Sequence, residues 1–190
     1  MFGEIIPGKT FSIRGLAEEF SVSMTPVRDA TRRLVAEGAL TMSSSGRISA
    51  PQLNPRRVEE LFSIRLLLEP QLALRAVPRV HAVLIQRLSE RNNLIEEMIA
   101  RGNLGEYSKI NIEFYKTLYL RAQAPAMLAI LETVWLQLGP TIKVVFEKKL
   151  KSNSRLYHRH ILVALRSGNQ EDLIHGIKAV IKRGLVIMLI

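Results

Sequence analysis

A chain of 190 residues with 47% apolar and 23% charged side chains has room for one large or two small folded domains, and its balance is that of an ordinary folded chain and argues against intrinsic disorder. It has no cysteine, which excludes disulfides, thiolate or iron–sulfur ligation and a cysteine nucleophile, and suits a reducing cytoplasm. The formal charge of +10 points to an anionic partner, while the absence of any apolar run of roughly 18 residues, or of a basic segment leading into an apolar one within residues 1–11, argues against a membrane span or export.

Almost every segment reads as helix. Ile13, Leu16, Ala17 and Phe20 recur on one helical face, with Ser12 placed to cap it. Ser21 to Thr25 interrupts the pattern, and Thr25-Pro26 predicts a second helix with Thr25 as N-cap and Pro26 at the first helical position. Its buried face is expected at Val27, Ala30, Leu34 and Val35, and Gly38 stands where a left-handed cap ends it. Leu40–Met42 and Arg47–Ala50 are short extended stretches joined by Ser43-Ser44-Ser45-Gly46, a polar hairpin turn.

Pro51 and Asn54-Pro55 mark a linker, with Asn54 as the cap of the next helix, which predicts two domains, 1–53 and 54–190. Beyond it the helical period continues, with breaks expected at Pro70, Pro78, Gly102, Ala124-Pro125, Gly139-Pro140, Lys151 to Ser154 and Gly168-Asn169. The segments 80–101, 103–123, 127–149, 154–167 and 170–190 are long enough to cross a small domain, so the expected class is mainly α, a winged helix-turn-helix followed by an all-helical bundle.

Charge is unevenly spread: residues 1–58 hold 8 Lys/Arg and 5 Asp/Glu, residues 59–141 hold 9 and 9, and residues 142–190 hold 10 and 3. Charge alone would place nucleic acid at the C-terminal end. The recognition geometry lies elsewhere. Thr25, Arg28 and Arg32, at i, i+3 and i+7, share a face opposite Val27 and Leu34 on the second helix of a helix-turn-helix, the element that enters the major groove. Arg can bond guanine O6 and N7 in pairs, Thr can bond phosphate or base, and a helix N-terminus attracts phosphate. A solvated face would explain any one of these arginines; their combination with a glycine-tipped hairpin and a linker favours double-stranded DNA. Arg33 reads instead as the surface partner of Asp29.

The run from Leu16 to Ala30, LAEEFSVSMTPVRDA, followed by Arg33-Leu34 and Glu37-Gly38, resembles the DNA-binding domain of GntR-family transcriptional regulators, and Pro7-Gly8 matches that family's turn. The stretch from Val58 to Pro70, VEELFSIRLLLEP, is similar to the start of the helical FCD effector domain of the FadR subgroup. The resemblance implies DNA contacts at Arg14, Ser23, Thr25 and Arg28, with a wing at Ser44, Ser45 and Gly46 reaching the minor groove. It also implies a homodimer on a roughly palindromic operator and an effector that is a carboxylate, sugar acid, amino acid or acyl-CoA. Met24 stands where many relatives carry a basic residue, and a thioether cannot contact phosphate ionically. Relatives have a complete helix before the Pro-Gly turn, so the expected winged domain lacks its first helix, through truncation or a misassigned start.

FCD domains commonly bind a divalent metal through an Asp and a His four apart on one helix and two further His. The matching positions here are Asn111, Tyr115, His158 and Val180, so one ligand of four is kept. A neutral amide, a protonated phenol and an aliphatic side chain make no site of the kind such ions prefer, and the expectation is no metal and no cofactor. Asn111, Tyr115 and His158 are then candidates for direct contact with a small, anionic effector, or a polar trio that satisfies itself. His160 points to another helix face, and His81 and His175 have no partner at ligand spacing. Arg65 and Glu69 read as a structural pair, and the apolar run from Gly184 to Ile190 as core or protomer contact.

Three functions follow from these residues. The first is a ligand-responsive regulator. The second is an enzyme using His158 and Tyr115 as base and acid, which no nucleophile elbow, phosphate loop or intact metal set supports. The third is a ligand-blind DNA-binding or interaction protein with an eroded effector site.

Overall fold

In the computed structural model, which describes residues 6–149 and 155–189, the chain turns at Pro7-Gly8 and enters β1 (Thr10–Phe11). Gly8 has φ +80 there, and Lys9 N–H bonds the Ile6 carbonyl at 3.1 Å. Helix α1 (Ile13–Glu19) is capped by Ser12, whose Oγ accepts from Gly15 N–H at 3.0 Å, as its position predicts. Phe20 departs from expectation. It lies just past the end of α1 and is 59% exposed instead of riding on the buried face.

Helix α2 (Met24–Ala36) starts earlier than expected, with Ser23 and not Thr25 as N-cap. Pro26 is therefore the third helical residue, where the N–H it lacks would have no intrahelical partner in any case. Val27 and Thr31 are buried and Leu34 and Val35 half-buried, while Ala30 is exposed. Gly38 adopts φ +70 past the helix end, the left-handed cap its position calls for. Arg33 pairs with Glu37 at 2.9 Å, not with Asp29. Glu37 is the C-cap residue, and its half-buried side chain lies within reach of Arg33 one turn before it.

The hairpin forms from β2 (Thr41–Met42) and β3 (Ile48–Ser49), and β1 adds to it as a third strand that the sequence pattern does not announce. Order is β1-β3-β2, all antiparallel, with Phe11 and Met42 both opposite Ile48. Two residues are too few to show an alternation. Leu40, Ile48 and Ala50, with Phe11, Ile13, Leu34 and Val35 against them, form the core of this part.

Helix α3 (Pro55–Ala76) begins at Asn54, whose Oδ1 accepts from Arg57 N–H at 2.8 Å, and ends in a 3-10 turn, Val77–Arg79. Then come α4 (Ala82–Arg101), α5 (Leu104–Tyr119) with a 3-10 turn at Leu120–Ala122, α6 (Pro125–Lys149), α7 (Arg155–Ser167) and α8 (Gln170–Leu189). The breaks expected at Pro70 and Gly139-Pro140 do not occur: α3 runs through Pro70 and α6 through Pro140. An interior proline forfeits one helical hydrogen bond, and both helices pack into the bundle on either side of it, α3 through Phe62 and Leu72 and α6 through Leu138 and Ile142. The break expected at Lys151 to Ser154 lies outside the described residues.

Helix α3 is the centre of the bundle, packed against α5, α6 and α8. Phe62, Leu72, Leu88, Phe114, Leu118, Leu131 and Leu138 are fully buried in it. A Cβ at Gly184 would lie 3.0 Å from the Phe62 ring, so glycine lets α8 pass this close to α3. The C-terminal apolar run divides between core and surface. Leu185 and Met188 pack on the core and Val186 is 55% exposed, while Ile190 lies outside the described residues.

Candidate DNA interface and effector cavity

Ser23, Met24, Thr25, Arg28 and Arg32 all lie exposed at the start and along one side of α2. Arg28 and Arg32 take part in no ion pair or hydrogen bond among the described residues, in contrast to Arg33. Ser23 makes no side-chain cap bond, so its hydroxyl and the first N–H groups of α2 are open to an anion. Arg14 is less free: its Nε bonds Glu18 at 2.9 Å, a solvated pair that DNA would have to compete with. In the turn between β2 and β3, Ser45 Oγ bonds Ser43 Oγ at 2.9 Å, Gly46 has φ +75, and Ser44 and Gly46 are exposed. The sequence reading missed Arg47, an exposed cation on this wing; its place beside the turn was the available signal.

The second site is a cavity of about 90 Å3 within the bundle, several times the roughly 10–15 Å3 that one water needs. Asn111, Tyr115 and His158 are brought together in its wall, and Val180 joins them. His158 is 3% exposed, and its Nε2 lies 2.9 Å from Asn111 Oδ1. An amide oxygen only accepts, so Nε2 carries the proton and Nδ1 is left as an acceptor, buried with no partner. Burial lowers the His158 pKa to about 4, only partly offset by the charge of Glu96. Tyr115 Oη is likewise buried without a partner, and burial followed by the charge of Glu69 holds its pKa well above the usual phenol value. A base with a pKa near 4 beside so weak an acid is mismatched to proton transfer near neutrality.

The rest of the wall comes from elements the sequence reading did not connect. Arg65 on α3 lines it, with its Nε on Glu69 at 2.6 Å; Glu69, 1% exposed, also accepts from Tyr119 Oη at 3.0 Å and Trp135 Nε1 at 3.2 Å. The Arg65–Glu69 pair is thus structural as expected, and it also places a cation at the cavity. Trp135 is itself a wall, as is Arg183, which sits over the Tyr157 ring, 5.4 Å from its centroid, and pairs with no carboxylate among the described residues. A signal for Arg183 was present, since it follows Val180 by one helical turn.

The four positions do not fit a divalent metal. Asn111 and His158 satisfy each other directly, Tyr115 keeps its proton, and Val180 has no donor atom. Among the described residues no three His, Asp or Glu stand close enough to hold an ion. His160 and His175 are exposed, and His81 caps α4 by accepting from Leu84 N–H at 3.3 Å.

Comparison with known proteins agrees with a DNA-binding N-terminal part followed by a helical domain. Residues 1–48 match the family described as bacterial regulatory proteins, gntR family, and residues 60–183 match the FCD domain. The chain belongs to the GntR family. It is a transcriptional regulator with an FCD domain and not an enzyme. It is 25% identical to the HTH-type transcriptional regulator McbR of Escherichia coli (strain K12), over 98% of this chain and 86% of the relative. It is 29% identical to the HTH-type transcriptional regulator LutR of Bacillus subtilis (strain 168), over 88% of this chain and 85% of the relative. The solved structure of E. coli McbR/YncC superposes with a TM-score of 0.91 at 24% identity, covering 98% of this chain and 90% of that one. A GntR regulator from Rhodococcus sp. RHA1 gives 0.79 at 18% identity, with 98% and 90% covered. No helix among the described residues is long and apolar enough to cross a membrane.

Proposed function

We propose that this GntR regulator binds a palindromic operator as a homodimer and that a small anion held in the bundle cavity modulates that binding. Two domains divide the work, residues 1–53 reading DNA and 54–190 binding effector and partner protomer. The observation that carries the DNA reading is the row of Thr25, Arg28 and Arg32, exposed together on α2 with neither guanidinium group paired among the described residues. Ser23 and the uncapped start of α2 would take phosphate, Thr25, Arg28 and Arg32 would meet phosphate or base edges, and Ser44, Ser45 and Gly46 would follow the minor groove. Arg14 would join once released from Glu18.

The effector is contacted directly, without a metal or other cofactor. Arg183 supplies a positive charge that no carboxylate among the described residues neutralises, Tyr115 Oη offers a proton, and His158 Nδ1 offers a lone pair. These match a carboxylate, sugar acid or amino acid of a size the cavity admits. The direct bond between Asn111 and His158 favours a second reading, a self-satisfied site in a ligand-blind regulator. Native mass spectrometry of the purified protein separates the two: a bound small anion, lost on Arg183→Ala, supports the effector site.

The DNA reading is tested by selecting an operator from random duplexes and titrating it against Arg28→Ala. The variant is expected to lose about 1–3 kcal/mol of specific affinity. Unchanged affinity in a folded variant would remove α2 as the reading helix.

A further inference from the structure

Gln137 lies on α6, between two residues of the cavity wall, Trp135 and Gly139. Two residues along a helix correspond to about 200° of rotation, so Gln137 points away from the cavity that Trp135 and Gly139 face. It is 9% exposed, and both ends of its amide are used. Nε2 donates to the backbone carbonyl of Glu37, the C-cap of α2, at 2.9 Å. Oε1 accepts from Arg57 Nη2, also at 2.9 Å. Arg57 sits in the first turn of α3, and its other terminal nitrogen bonds Glu60 at 3.0 Å.

Chemistry allows only one orientation of this amide. A peptide carbonyl can only accept and a guanidinium can only donate, so the nitrogen must face Glu37 and the oxygen Arg57. No other neutral side chain of this length offers a donor and an acceptor at one tip. Glutamate would set a carboxylate against a carbonyl, and leucine would leave the Glu37 carbonyl and the Arg57 guanidinium without this partner. Gly38 is part of the same fit. A Cβ there would stand 3.1 Å from Gln137 Nε2, so the residue that ends α2 also admits the amide.

We infer that Gln137 is a positioning residue: it holds the C-terminal end of the DNA-reading helix to α6, on the opposite side of α6 from the effector cavity. Movement of α6 at the cavity wall is thereby passed to α2 through this side chain, and the first turn of α3 follows through Arg57. This inference goes beyond the proposed function and rests on it for the identity of α2 as the reading helix.

The test uses the full chain and two variants, Gln137→Leu and Gln137→Glu, the second keeping the length and the acceptor for Arg57 while removing the donor to Glu37, should the first fail to fold. Hydrogen exchange is followed in residues 31–42, with α4 and α7 as internal references. Affinity is measured for the selected operator and for an unrelated duplex at the same salt concentration. Both variants are expected to exchange severalfold faster in residues 31–42 with α4 and α7 unchanged. Operator affinity should fall by about fivefold, the equivalent of one net hydrogen bond, while affinity for the unrelated duplex holds. Parental exchange in residues 31–42 of the folded variants would overturn the inference, as would equal losses on both duplexes. If the parent shows no operator preference, the reading of α2 fails, and the exchange measurement alone still decides whether Gln137 holds its C-terminal end.

Discussion

Acid should weaken this protein through one residue of the cavity, His158. Its folded pKa is about 4, against 6.5 for an unburied imidazole, because burial penalises the charged ring and Glu96 offsets this only in part. Near pH 7 the ring is neutral in both states and costs nothing. As pH falls through 6.5 the unfolded chain takes up a proton that the folded chain refuses, so stability declines with falling pH until the folded ring also titrates near 4. At about 1.4 kcal/mol per pKa unit the loss across this window is about 3 kcal/mol, a large share of the roughly 5–15 kcal/mol that holds a typical domain together. Trp135 is the chain's only tryptophan and lines the cavity, so its fluorescence reports urea unfolding of the bundle directly. The comparison is with His158→Gln, which keeps a donor for Asn111 but has nothing to titrate. Carboxylates elsewhere act equally in both proteins and cancel in the difference. The stability difference between parent and variant should therefore shift by about 3 kcal/mol against the parent between about pH 7 and pH 4. Parallel curves over that range would refute a buried, neutral His158.

Glu69→Ala should cost about 3–5 kcal/mol in chemical denaturation, because it leaves the buried Arg65 cation and the donors of Tyr119 and Trp135 without their shared acceptor. A loss below roughly 1 kcal/mol would show that the network does not hold the bundle. Protein purified without chelators or metal-carrying tags should contain far less than one equivalent of zinc, nickel or manganese by elemental analysis. Near-stoichiometric metal lost on His158→Ala would reinstate a metal-dependent effector site.

Short-range chemistry was readable residue by residue. Ser12 and Asn54 cap the helices that follow them, and Gly38 takes the left-handed conformation, because each depends on atoms within three or four residues along the chain. The placing of Arg28 and Arg32 on one exposed face follows from the helical repeat alone, and so do the shared positions of Asn111 and Tyr115 on α5. Errors arose where a local preference met a larger force or a close competitor. Thr25 is a good cap, but Ser23 is one too, and nothing in the first turn needs the N–H that Pro26 lacks.

Sequence by itself thus determined the helices of the helix-turn-helix, the hairpin after them and the exposed basic face of α2, all of which depend on residue type and spacing within single elements, while the positions of the replaced metal ligands came from the family resemblance. Tertiary structure decided how those elements share their surfaces. Pro70 and Pro140 stay inside helices because packing along α3 and α6 outweighs one missing hydrogen bond. The cavity needs Arg65, Trp135 and Arg183 from three different helices, and Gln137 meets Glu37 across a separation of 100 residues. Periodicity tells which side of a helix is buried, but the partner of a buried polar group is set by the packing of whole elements, where an unpaired donor or acceptor costs more than any local preference supplies.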